Sequence, residues 1–291
     1  MRYRVTHSTT YSYEELVSIG HNEVRLEPRG TPTETCLSTQ LAIEPAPALR
    51  ASERDYFGNP TSFFTLQEPH HRMVIVATSE LEIVAPPRPE PDATPAWEAL
   101  RDHLRGDCSR DGLRAREMTF ESPLVPIGAP FAEYARPSFE PGRPIAEAVL
   151  DLTRRVHADF KYRPGVTSVT TPVAEVLEQR IGVCQDFAQL EIACLRALGL
   201  PARYVSGYIR TSPPRGVAPL IGADASHAWL AVFCGDAGWL DVDPTNDLLV
   251  SDQHVTVAWG RDYGDVSPVK GVVLGGGGHT VEVAVHVEPL D

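Results

Sequence analysis

The chain has 291 residues, 42% of them hydrophobic and 22% charged, with a formal net charge of −13 at pH 7. There is ample material for a globular core, and the acidic balance argues against nucleic-acid binding, which needs clustered Lys and Arg to displace phosphate counterions. No stretch approaches the roughly 20 apolar residues of a membrane span, and Met1 to His7 alternates polar and apolar residues rather than forming a signal peptide, so a soluble, cytoplasmic protein without a membrane partner is expected.

Residues 1–86 read as an N-terminal β domain. Arg2 to Ser12 alternates, Val24–Leu26 and Leu37–Ile43 are short β-prone runs, and Phe57-Gly58-Asn59-Pro60 is a turn. Two further runs, Met73–Ala77 and Leu81–Val84, complete a set of short strands at regular spacing, which predicts a β-sandwich. The adjacent His70 and His71 do not form a metal pair, because neighbouring side chains of a strand point to opposite faces.

Residues 87–144 form a proline-rich connector with one expected helix, Trp97 to Leu104. The core, 145–250, turns first α and then β. A helix is predicted over Ile145–Phe160, with Val149, Leu152 and Val156 at helical spacing. A second begins at Thr171-Pro172, with threonine as N-cap, and stops at Gly182. A third runs from about Cys184 to Leu198, closed by Gly199. Tyr204–Ile209 is a strand, Thr211–Ala223 a Pro/Gly loop, and Ser226–Phe233 and Trp239–Asp243 are two strands joined through Gly235–Gly238. The remaining residues, 251–291, form a C-terminal loop and strand extension. There Gly275–Gly278 reads as a flexible loop before the strand Thr280–Val287, since it opens no helix that would cradle a phosphate.

Five cysteines (Cys36, Cys108, Cys184, Cys194, Cys234) are odd in number and contain no C-x-x-C pair. Neither a disulfide framework nor a structural zinc site is indicated, and no metal or other cofactor is expected. Cys194, between Ala193 and Leu195 within the third helix, reads as core, and Cys234 as a strand end. Cys184 differs in position, standing at a helix N-terminus where unpaired N–H groups and the dipole favour a thiolate. That end contributes about 0.3–1 kcal/mol, too little to ionise a thiol of pKa about 8.5 at neutral pH. A nearby imidazolium is required. Asp186 would oppose the thiolate if it pointed at the sulfur, and is expected to point elsewhere and cap free N–H groups.

Of ten histidines, His227 stands out in an otherwise apolar strand, and the hairpin brings Asp243 back beside it. A three-residue loop centred on Asp236 sets Asp243 opposite Trp229 and diagonal to His227, about 7–8 Å away between backbones. A two-residue turn would set the pair on opposite faces. Asp241 has the same parity as Asp243 and is the fallback. A thiol, an imidazole and a carboxylate in this order are the parts of an activated nucleophile, its base and its orienter. The backbone N–H of Cys184 is the natural oxyanion donor, with Tyr162 or Gln185 as a possible second; Trp229 reads first as core packing, with shielding of the histidine from water as the alternative.

The runs Gly182-Val183-Cys184-Gln185-Asp186, Ser226-His227-Ala228-Trp229 and Asp243-Pro244-Thr245-Asn246 resemble the transglutaminase-like superfamily. The first 85 or so residues are similar to the β-rich domain that accompanies its bacterial members, and the segments Gly260–Val266 and Gly275–His279 to their C-terminal segment. The resemblance implies an α+β fold with a sandwich-like N-terminal domain and a papain-like core built on an antiparallel sheet. It implies Cys184, His227 and Asp243 as nucleophile, base and orienter, acting on a peptide or protein amide. Animal transglutaminases have Gln before and Trp after the cysteine; here Val183 and Gln185 stand there, and no acidic calcium cluster is evident. Hydrolysis is therefore favoured over crosslinking, the contrasting possibility being a catalytically silent scaffold of the same fold.

Overall fold

A computed structural model describes residues 1–88, 90–210 and 225–290. Five strands come first: β1 (Arg2–Val24), β2 (Glu34–Glu44), β3 (Leu49–Arg54), β4 (Pro60–Leu66) and β5 (His70–Ile83). The alternation read in Arg2–Ser12 is borne out, since Tyr3, Val5, His7 and Thr9 are buried and their neighbours are not. β1 is 23 residues long and changes partners part-way. Its first half, Tyr3 to Ser12, lies between β5 and β14 (His279–Pro289). Its second half, Ile19 to Val24, pairs with β13 (Val269–Gly275), and from Gly20 onward also with β4. One long strand, its register shifting between Ser12 and Ile19, thus joins all the partners into a single seven-stranded sheet, and the C-terminal extension is built into the N-terminal domain. The Gly275–Gly277 backbone between β13 and β14 has positive φ throughout, which glycine adopts at little cost.

The 87–144 stretch holds more helix than its prolines suggest. Besides α1 (Trp97–Gly106), it contains α2 (Arg110–Glu117) and α3 (Ala129–Ala135). Ser109 caps α2 through the Gly112 N–H, and Pro130 lies in the first turn of α3, where its missing N–H costs nothing.

The core comprises α4 (Ile145–Asp159), β6 (Lys161–Tyr162), α5 (Val173–Gln179), β7 (Ile181–Gly182) and α6 (Cys184–Ala197), then β8 (Ala202–Ile209), β9 (His227–Phe233), β10 (Trp239–Asp243), β11 (Leu248–Leu249), β12 (His254–Gly260) and α7 (Tyr263–Val266). Two expected boundaries of α5 differ. Thr171 does not cap it, Pro172 being the N-cap residue, and the helix stops at Arg180, which takes a left-handed conformation at φ 58°. Gly182 serves another purpose, pairing with Tyr162 in a short parallel ribbon. The predicted loop Thr211–Ala223 lies outside the described residues.

The core sheet is antiparallel, in the order β11-β10-β9-β8-β12. Helix α6 packs on it buried on nearly all sides from Asp186 to Arg196, as a central helix must be. Its Leu190, Ile192 and Cys194 share one hydrophobic cluster with Tyr3, Val5, Leu81 and Ile83 of the N-terminal domain. At its C-terminal end the buried Arg196 guanidinium donates to the carbonyls of Met118, Ala202 and Arg261, fixing the helix lengthwise.

β12 is an edge strand whose free hydrogen-bonding groups are covered by the N-terminal domain. Asn59 receives the Trp259 N–H and donates to the Trp259 carbonyl, Glu34 receives the Thr256 N–H, and the Arg29 N–H reaches the Thr256 carbonyl. Beside it, Gly207 of β8 has no room for a side chain: a Cβ there would collide with the Val255 carbonyl oxygen and the Trp229 ring. Gly207→Ala is expected to cost about 1–3 kcal/mol or more by overpacking, read as a lower urea midpoint with the slope unchanged.

Candidate active site

Cys184 begins α6, so its backbone sits at the helix N-terminus. The approach is set by the β6–β7 ribbon, which lays Tyr162 against Gly182. Asp186 turns back rather than toward the sulfur. Its Oδ2 accepts from the Val183 N–H at 2.8 Å and from Thr167 Oγ1 at 2.6 Å, half of a capping box. Burial raises the Asp186 pKa, and those two hydrogen bonds oppose the rise. The packed carboxylate also explains Gly182: a Cβ there would lie 2.8 Å from Asp186 Cβ.

The returning hairpin has the required register. The Cys234 N–H closes on the Gly238 carbonyl at 2.7 Å around the three residues Gly235–Ala237. Pairing then runs from Trp239↔Phe233 to Val242↔Leu230, so the next residue, Asp243, faces Trp229 and stands diagonal to His227. His227 Nε2 and Asp243 Oδ2 are 2.9 Å apart, both side chains fully buried. Asp241, the fallback, is engaged elsewhere, accepting the Trp229 indole N–H at 3.1 Å.

Asp243 collects more donors than the sequence reading found. Oδ1 takes the backbone N–H groups of Thr245 and Asn246, and Oδ2 takes the Asn246 side-chain amide at 2.7 Å. The buried His254 brings Nε2 to 3.5 Å from the same Oδ2. Its Nδ1 accepts the Ser251 N–H, which leaves the ring proton on Nε2, facing the carboxylate. Asn246 lies within a quoted motif and its role as donor was within reach; His254 on β12 had no signal in the sequence.

Burial alone would lower the His227 pKa, but the charges of Asp243 and of the nearby Cys184, and the hydrogen bond to Asp243, raise it to about 10. Burial would likewise push Asp243 up, yet His227 and His254 hold it well below the ordinary carboxylate range. With Nε2 taken by Asp243, Nδ1 is the ring atom left for the thiol. Nδ1 is buried and makes no standard hydrogen bond, so the thiol–imidazole contact is loose, as is common in a free enzyme. Tyr204 of β8, missed in the sequence, is held protonated mainly by burial and next by the nearby Cys184.

The three remaining candidates have the following surroundings. Gln185 donates its side-chain amide to the Val169 carbonyl at 3.2 Å. Tyr162 packs edge-on against Phe187, with ring centroids 6.4 Å apart. Trp229 is fully buried, its centroid 6.2 Å from that of His227 and 5.3 Å from that of His254. It packs beside the imidazoles with its N–H already donated.

Residues 3–82 match the bacterial transglutaminase-like N-terminal region, and residues 132–244 match the transglutaminase-like superfamily. An uncharacterized protein of Mycobacterium tuberculosis is 43% identical over 298 residues, an alignment covering all of this chain and 93% of that protein. The chain belongs to the transglutaminase-like superfamily. A protein-glutamine gamma-glutamyltransferase of Pseudomonas aeruginosa is 31% identical over 123 residues, 36% of this chain and 18% of that protein. The fold is also that of a crystal structure described as a "putative cysteine protease" from Cytophaga hutchinsonii, with a TM-score of 0.78 at 21% identity, covering 100% of this chain and 91% of that one. The expected α+β architecture, an N-terminal strand domain and a core on an antiparallel sheet, is therefore present among the described residues. Among the described residues, no helix is long and apolar enough to cross a membrane.

Proposed function

We propose that this member of the superfamily is a thiol-dependent acyl-transfer enzyme acting on peptide or protein amides. Cys184 is the nucleophile, His227 the base and Asp243 the orienter. The observation that carries the reading is the buried His227–Asp243 pair at 2.9 Å, held so that one ring nitrogen remains for a thiol at a helix N-terminus. The thiolate attacks the carbonyl carbon, and the backbone N–H of Cys184 donates to the developing oxyanion. His227 protonates the departing amine, leaving a thioester. Cys184 is only half-buried, so water can reach that thioester, and hydrolysis is favoured over transfer to an amine. The named activity of the Pseudomonas relative supports acyl transfer. The contrasting reading is a silent scaffold.

Alkylation with iodoacetamide, read by intact mass and peptide mapping, separates the two. Cys194 and Cys234 are buried, and burial raises Cys36 to about 11 and Cys234 to about 12. Cys184 is expected to label faster than the exposed Cys108, and the excess to vanish in His227→Ala. Equal rates at Cys184 and Cys108 in both proteins would favour the scaffold. Incubation of glutamine peptides with and without a primary amine then distinguishes hydrolysis from transamidation by product mass.

A further inference from the structure

At the hairpin end of the core sheet, away from Cys184, an aromatic ladder holds two arginines. The Arg203 guanidinium of β8 lies 4.2 Å from the Trp239 ring centroid and 3.7 Å from that of Trp259. Arg29, from the N-terminal domain, stacks on Trp259 at 3.1 Å. Arg203 is about nine-tenths buried, and among the described residues it makes no hydrogen bond and no ion pair, its Nε being buried without a partner. Arg29 is equally buried; it donates through Nη1 to the Asn59 side chain and the Phe57 carbonyl, while its Nε has no partner. Each guanidinium is desolvated; the charge of Asp241 acts on Arg203 and those of Asp55 and Glu34 on Arg29, yet neither arginine has a carboxylate within ion-pairing distance. Such groups are costly to bury alone. Burial lowers the Arg29 pKa, and the charge of Arg203 lowers it further.

Both arginines line one cavity of about 970 Å³, enclosed by the Asp55–Gly58 turn, α1, α2 and the Gly235–Gly238 hairpin. That volume suits a small organic ligand. Trp239, Trp259, Phe57 and Phe233 supply apolar wall. Asp107, Asp111 and Asp236 are also part of the lining, and among them Asp111 and Asp236 are exposed. The half-buried Asp55 and Glu117 line it as well, so five carboxylates stand against three arginines, Arg29, Arg114 and Arg203. A dianion would meet more repulsion from them than a monoanion. His227 pairs with Gly207 and Ala231 with Arg203, so the ladder stands four residues, about 13 Å, along the sheet from the proposed base.

We propose that this cavity binds a small monoanionic carboxylate carrying a flat apolar body. The carboxylate would sit against the Arg203 and Arg29 forks and the body against the indole rings. Benzoate, neutral benzamide and dianionic phenyl phosphate are suitable probes, titrated into the full-length protein by calorimetry and by tryptophan fluorescence. Benzoate is expected to bind at least about tenfold more tightly than either of the others. Arg203→Gln and, as a second variant, Arg29→Gln should each weaken benzoate by about tenfold while leaving the benzamide response unchanged. Cys184→Ala should bind benzoate as the parent does, which makes the test independent of the proposed catalytic role. Equal binding of benzoate and benzamide, tighter binding of phenyl phosphate, no benzoate binding at about 10 mM, or loss of binding in Cys184→Ala would each overturn the proposal. The three-ligand comparison on the parent protein stands even if a variant does not fold.

Discussion

Cys184→Ala is expected to abolish thioester formation and to lower amide or ester turnover by about 10⁴-fold or more. Nothing else at the start of α6 can take over the attack. Asp186 is turned back onto Val183 and Thr167, and the Gln185 amide is held by Val169. What would survive is the oxyanion donor and substrate binding, whose combined residue in comparable triads is about 10³–10⁴-fold over water. The fold should persist, because alanine is the best helix former and position 184 is the first, half-buried turn of α6. The measurement is mass-spectrometric capture of the acyl-enzyme with a p-nitrophenyl ester, alongside far-UV circular dichroism. Capture at an unchanged level in the alanine variant would place the nucleophile elsewhere.

Asp243→Asn is expected to be as damaging to turnover, about 10⁴-fold, and more damaging to stability. The substitution leaves His227 buried without the carboxylate that keeps it charged, and loss of one partner of a buried pair costs about 3–5 kcal/mol. The cost depends on pH in a defined direction. His227 has a folded pKa of about 10 against an ordinary 6.5, so its contribution is complete below pH 6.5 and is lost as pH rises through about 10. Asp243 is held below its ordinary 3.8, so its contribution is present above that value and is lost on acidification below it. The stability gap between parent and variant is therefore widest from about pH 4 to 6.5 and narrows on either side. Urea unfolding at three values, near pH 5, 7.5 and 9.5, tests this. A gap that grows toward high pH would contradict the imidazolium–carboxylate assignment.

The features legible in the sequence were those that depend on near neighbours. The start of α6 at Cys184 and the backward turn of Asp186 follow from local chemistry over a few positions, whereas the hairpin loop was left open between two and three residues. Loop length alone fixed the face on which Asp243 lies. The α3 helix was hidden because its surroundings read as a proline-rich connector, although Pro130 occupies the one turn in which proline is harmless. Contacts between distant segments were also invisible. His254 reaches Asp243 only because β12 folds back alongside β8. The ladder of Arg29, Arg203, Trp239 and Trp259 draws on the β1–β2 loop and three separate strands, none of which shows a pattern by itself. The destination of the C-terminal strands was equally unreadable, since a β-prone run does not say which strand will accept it.

The partners of β1 bear on how the molecule would come apart. The first and last strands of the chain are neighbours over eleven consecutive residue pairs, Tyr3↔Pro289 through Tyr13↔His279. The transglutaminase-like core is consequently an insertion between two strands of one sheet, attached at both of its ends. A protease cutting between β5 and α1 would sever one tether and leave the other, through α7 and β13, intact. The nicked protein would remain a single particle, and only denaturant would release its two fragments.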